Sequence, residues 1–132
     1  MRYIVPLGRI LFAAIFLISG PGHFSSETIG YAAGRGVPLA AIAVPLSGII
    51  AIAGALSVML GWKTRIGAWL LVLFLVPVTF AMHNFWAVAD PMAASMQRIM
   101  FLKNISMLGG ALLIAYFGAG PCSLDERGRP HR

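Results

Sequence analysis

The feature that most constrains this chain is the grouping of its apolar residues into four long blocks, separated by short stretches rich in glycine, proline and basic residues. A helical block of about 20 apolar residues matches the roughly 30 Å hydrocarbon core of a bilayer, whereas soluble helices carry their apolar residues as stripes. Charged residues make up only 11% of the 132, against about 25% in an average soluble domain. That is too little to coat a water-facing surface. The expected fold is all-α: an integral membrane four-helix bundle, one domain, with no room for a separate soluble module. The spans fall at about 3–20, 38–60, 66–83 and 97–117, followed by a basic tail over 118–132.

The breaks between blocks have identifiable causes. Gly20-Pro21-Gly22 stops the first helix, because proline blocks continuation and glycine permits the turn. No A-x-A cleavage pattern follows, so the first block reads as a retained span rather than a signal peptide. The connector 25–36 mixes capping serines with Ile29 and Tyr31 and predicts a short interfacial helix, ended by Gly36, with Pro38 opening the second span. That second span carries Ser47, Gly48, Ala51, Gly54 and Ala55, small residues that let another helix approach closely. They offer either a homodimer face or an internal bundle contact, and Gly109 and Gly110 give the fourth span a similar packing site. Asp90-Pro91 has the form of an N-cap and first helical residue, so the fourth helix begins before the membrane.

The formal charge of +6 sits at the edges of the apolar blocks. Orientation and lipid headgroups explain that placement better than nucleic acid does. With four spans, Arg2, Arg9, Lys63, Arg65, Arg127, Arg129 and Arg132 share one side, and Arg35, Arg98 and Lys103 the other. The asymmetry predicts both termini in the cytoplasm. Arg9, one or two turns inside the first span, reads as a side chain snorkelling to the near headgroups. The single cysteine, Cys122, excludes an intramolecular disulfide and a CxxC redox pair.

An ammonium inside an apolar span costs about 3 kcal/mol on insertion scales, so Lys103 marks a functional-site hypothesis. The orientation above puts His23, His83, Asn84, Lys103 and Asn104 together toward the outer face. These five residues are expected to form a ligand pocket between helix ends, with Lys103 and His83 donating hydrogen bonds to a carbonyl or anionic group. Phe24, Phe80, Phe85 and Trp86 would surround a quinone or lipid head group there. Thr79 shares a helix face with His83 and is placed to orient its imidazole. Haem ligation by His23 and His83 is disfavoured, because both lie beside turns and no C-x-x-C-H motif exists; a metal site lacks a conventional third ligand. Glu27, Asp90, Asp125 and Glu126 all lie in connectors or the tail, so hydrolytic and phosphoryl-transfer chemistry find no carboxylate dyad, nucleophile–base pair or phosphate loop.

As a set, Leu7-Gly8-Arg9, Ser19-Gly20 with His23-Phe24, Gly36-Val37-Pro38, Leu46-Ser47-Gly48, Gly61 with Thr64-Arg65, Phe101-Leu102-Lys103-Asn104, Gly109-Gly110 and Ser123-Leu124-Asp125 resemble the DoxX family. The resemblance implies a small four-helix protein of the bacterial inner membrane, associated with quinone-linked oxidoreductases, with distant relatives acting as cargo receptors or assembly chaperones. It departs from the family at Ala51, where many relatives carry a glutamate, so a proton-handling acid is absent. The resulting expectation is an accessory membrane subunit of an oxidoreductase system, with a redox partner protein carrying the electron-transfer cofactor. The alternative is a non-enzymatic scaffold or assembly and cargo factor that recruits a partner protein.

Overall fold

The computed structural model describes residues 2–129; the final three residues of the expected tail, 130–132, lie outside them. Helix α1 spans Ile4–Ser19 and runs on through a 3-10 turn at Gly20–Phe24. The short α2, Ser26–Gly34, precedes α3 at Ala40–Leu60 and α4 at Thr64–Met82. A second 3-10 turn, Phe85–Ala87, leads to α5, Pro91–Phe117, and the chain closes with α6, Leu124–Arg127. No strand occurs among the described residues, and four segments are long and apolar enough to cross a membrane: Ile4–Phe24, Ala40–Leu60, Thr64–Ala87 and Pro91–Phe117. The protein is a multi-pass membrane protein built as an all-helical bundle.

Local chemistry sets the helix ends. Ser25 accepts a hydrogen bond from the Thr28 N–H and starts α2, and Asp90 accepts one from Ala93 with Pro91 in the first position of α5. The α3–α4 turn closes through Gly61 at φ +69°, with the Trp62 N–H bonded to the Ser57 carbonyl, a left-handed helix end that glycine adopts without a Cβ penalty. Two boundaries differ from expectation. The Gly20-Pro21-Gly22 stop only tightens the helix into the 3-10 turn, and α3 opens at Ala40, past Pro38, because Leu39 takes a left-handed conformation.

The core is thin and alanine-rich: Ala13 and Phe16 from α1, Ala51, Ala55 and Val58 from α3, Ala68, Leu71 and Leu75 from α4, and Ala111 and Ala115 from α5. Small side chains bring backbones together, which is how helices gain packing energy where lipid removes the hydrophobic drive between them. A Cβ on Gly54 would stand 2.8 Å from the Gly67 carbonyl oxygen, and one on Gly48 would stand 2.6 Å from the His23 Cβ. The small residues of α3 therefore serve contacts inside the bundle, with α4 and with the turn after α1. Gly110 lies against the Phe12 ring, whereas Gly109 is exposed and a Cβ there would meet no atom within 4 Å.

Candidate functional site

At the end of the bundle that holds α2, an apolar cleft of about 330 Å³ opens between α2, α3 and α4. Ala32, Val44, Phe74, Pro77 and Met82 form its walls, and His23, Thr28 and Ser47 are its polar groups. The His23 ring stands edge-on to Phe74 with centroids 5.4 Å apart, and its Nδ1 lies 3.1 Å from the Gly20 carbonyl oxygen. Helix α2 roofs the cleft. Arg35, at its C-terminal end, reaches the end of α4, where it donates to the Met82 carbonyl (3.5 Å) and to the Asn84 side-chain oxygen. The Arg35 Nε is buried without a partner.

The five residues expected to share one pocket are distributed over separate environments. His23 lines the cleft, and Asn84 holds Arg35. The imidazole of His83 is placed by Gln97, whose Oε1 is 2.8 Å from Nδ1, rather than by Thr79. Phe85, Trp86 and Phe101 pack edge to face beside it, with centroids 5.3–5.8 Å apart. Lys103 is exposed, and its ammonium approaches the Met100 sulfur at 3.6 Å. Asn104 takes the inward position on the face that also buries Ala111 and Ala115. The physical reason is the ~100° between consecutive helical residues. Only one of Lys103 and Asn104 can point inward, and a neutral carboxamide is far cheaper to bury than an ammonium.

The opposite end carries a polar knot that the sequence reading did not assemble. Arg9 is 4% exposed and turned inward, not toward headgroups. Its guanidinium donates to the carbonyls of Val58 and Met59 at the end of α3, and to those of Pro121 and Cys122 in the tail, the last at 2.7 Å. The tail is docked on the bundle. The Asp125 carboxylate accepts from the Lys63 and Thr64 N–H groups at the start of α4 (2.7 and 2.9 Å), and the Asp125 N–H donates to the Gly61 carbonyl. Burial pushes the Asp125 carboxyl upward, but the Thr64 and Lys63 N–H groups and the charge of Arg129 outweigh it and hold the group below its ordinary 3.8. Ser123 accepts from the Glu126 N–H, and the Glu126 carboxylate accepts from the Cys122 N–H. Ser123-x-x-Glu126 is a capping-box spacing, a signal present in the sequence that would have predicted an ordered tail.

Among the described residues no three His, Cys, Asp or Glu side chains gather as a metal-binding set. The SURF4 family model matches residues 40–131, from the start of α3 to the tail. The chain belongs to the SURF4 family. It is similar to the inner membrane protein YphA of Escherichia coli (strain K12), 31% identical over 92% of this chain and 87% of that protein. It is also similar to the inner membrane protein YqjF of the same strain, 30% identical over 92% and 89%. A more distant likeness, 29% identical over 60% of this chain and 25% of the relative, links it to the ER-derived vesicles protein ERV29 of Saccharomyces cerevisiae (strain ATCC 204508 / S288c). No solved structure matches.

The SURF4 assignment corrects the expected DoxX membership, and with it the oxidoreductase and quinone reading. The residues that suggested DoxX turn out to be mainly architectural. Gly48 admits His23, Gly61 lies beneath Arg9 and Ser123, and Asp125 caps α4. They report how this SURF4-family bundle is held together, not what chemistry it performs.

Proposed function

We propose that this protein is a non-enzymatic membrane scaffold of the bacterial inner membrane, which recruits an exported or membrane-bound partner by accepting an apolar segment of it in the α2–α3–α4 cleft. The observation that carries this reading is the chemistry of that cleft. Its walls are almost wholly hydrocarbon, and its donors are one imidazole and two hydroxyls. Such a site holds apolar chain and offers no nucleophile–base pair to transform it. The roof, α2, is a short helix whose C-terminal end is tied to α4 by Arg35 and whose Ala32 packs with Val44 and Met82. Relatives named for the E. coli inner membrane over most of their length, and for ER-derived vesicles over a quarter of another, support a membrane role of recruitment over one of electron transfer.

The test is site-specific photo-crosslinking in native membranes from Ser47 and Ala43 in the cleft, with exposed Leu7 on α1 as control. A discrete polypeptide adduct from the cleft positions, absent from Leu7 and abolished by filling the cleft with Ala43→Phe, is the expected result. Adducts of lipid alone at every position would overturn the reading.

A further inference from the structure

Helix α5 turns two cations outward: Arg98 near its start, whose guanidinium lies 5.6 Å over the Phe85 ring, and Lys103 deeper in the span, with no aromatic beneath it among the described residues. Lys103 is exposed, about 20 Å along the helix from the α5 end at Phe117. The Phe117 end lies beside the Arg9–Asp125 knot, so in a hydrocarbon layer of about 30 Å Lys103 sits below the opposite interface. Around it α5 buries only Asn104, Ala111 and Ala115. The outward face continues through Leu102, Ser106 and Gly109, and at Gly109 a Cβ would meet nothing within 4 Å. Ser106, one turn on and about 60° round the helix, is the small exposed residue beside the ammonium, while Gly109 lies about 120° round from it.

Among the described residues no carboxylate reaches the ammonium at that depth. Asp90 caps α5 about 20 Å away along the same helix, Glu27 lies in α2, and Asp125 and Glu126 are committed to N–H groups at the other end. A second copy of the chain brings no acid to this level either, since none of its four acidic residues falls in a span. We infer that the Lys103 face of α5 docks a transmembrane helix of a different protein, one carrying an aspartate or glutamate at matching depth. A carboxylate there neutralises the ammonium and gains a charge-assisted hydrogen bond in a medium without competing water. This inference rests on the scaffold reading and adds the chemistry of the partner, at a surface separate from the cleft.

The experiment uses a defined probe: a poly-leucine transmembrane helix with one aspartate at matching depth, compared with the same helix bearing leucine there, in a bacterial membrane two-hybrid assay against the full chain. The aspartate helix should associate about tenfold more strongly than the leucine helix. Lys103→Met should erase that preference and Lys103→Arg should keep it, with thermal unfolding of both variants unchanged. Equal association of the two probe helices, or a preference that survives Lys103→Met, overturns the inference. Loss of copurifying phospholipid from Lys103→Met with no helix preference also overturns it, in favour of a snorkelling contact with headgroup phosphate. Cleft crosslinks from Ser47 do not depend on Lys103, so failure here leaves the cleft reading standing, and failure of the crosslinks leaves this one to be judged by the probe helices.

Discussion

Replacing Arg9 with methionine tests whether the first span is pinned by its own arginine. The substitution keeps most of the stem volume and removes four donors' contacts with the carbonyls of Val58, Met59, Pro121 and Cys122. The 2.7 Å bond to Cys122 is short and charge-assisted, contributing about 1.5–3 kcal/mol. The other three, at 3.3 Å, lie beyond the usual range and contribute about 0.5 kcal/mol each. Against this stands the cost of burying a guanidinium whose Nε has no partner, which methionine relieves by about 1 kcal/mol. The net loss is about 3 kcal/mol, or roughly 10 °C in Tm for a chain of this size. Unfolding followed by circular dichroism in detergent measures the shift. Trypsin cleavage after Arg127 and Arg129 measures release of the tail, whose open population should rise about a hundredfold for the same 3 kcal/mol. A melting point within about 2 °C of the parent's, with unchanged tail cleavage, would mean that the arginine does not bridge α3 and the tail, and the geometry of the knot would be wrong.

Because the folded pKa of Asp125 is held below its unfolded value, its contribution is complete above the ordinary aspartate pKa and is lost as pH falls through the folded one. Tail protection from protease should therefore decline below about pH 4 in the parent, and Asp125→Asn should flatten that decline while lowering protection at pH 7. Among the glycines, Gly48→Ala drives a Cβ to 2.6 Å from the His23 Cβ and should cost about 1–3 kcal/mol in thermal melts. Gly109→Ala, with open space around it, should be neutral or stabilising by up to about 1 kcal/mol. The reverse order would mean that α5, not α3, makes the tight contact.

The four spans were legible because length and apolarity alone decide them, and Asp90-Pro91 and Ser25 announced two helix starts through ordinary capping chemistry. Direction around each helix was not legible. A helix apolar on nearly every side has no period to say which face is inward, so Arg9 and Lys103 could be placed only by a general rule about membrane cost. That rule assigned Arg9 outward and Lys103 inward, and the bundle does the opposite in both cases. Carbonyl oxygens at the α3 end and in the tail give Arg9 an inward partner, and those oxygens belong to no motif that composition reveals. Lys103 has an adjacent competitor in Asn104, which is cheaper to bury. The docking of the tail was not legible for a related reason. Its polar composition reads as solvated chain, yet Ser123, Asp125 and Glu126 each satisfy N–H groups that would otherwise be unpaired.

The distribution of these polar contacts also separates the part of the molecule built to stay from the part free to move. At the knot, Arg9, Asp125, Ser123 and Glu126 join α1, the α3–α4 turn and the tail through side-chain bonds to backbone groups that every conformation of the bundle must satisfy. At the other end the side-chain hydrogen bonds between elements are fewer, Arg35 to the Met82 carbonyl and Asn84 and His83 to Gln97, and α2 rests on α3 through the apolar cluster of Ala32, Ala40 and Val44. Local opening falls where buried contacts and backbone pairing are fewest. A catalyst would need that end fixed to sub-ångström tolerance, whereas a receptor for another chain needs it adaptable. On the scaffold reading proposed above, the hydrogen-bonded knot would be the fixed end of the bundle and the α2 end the one that receives a partner.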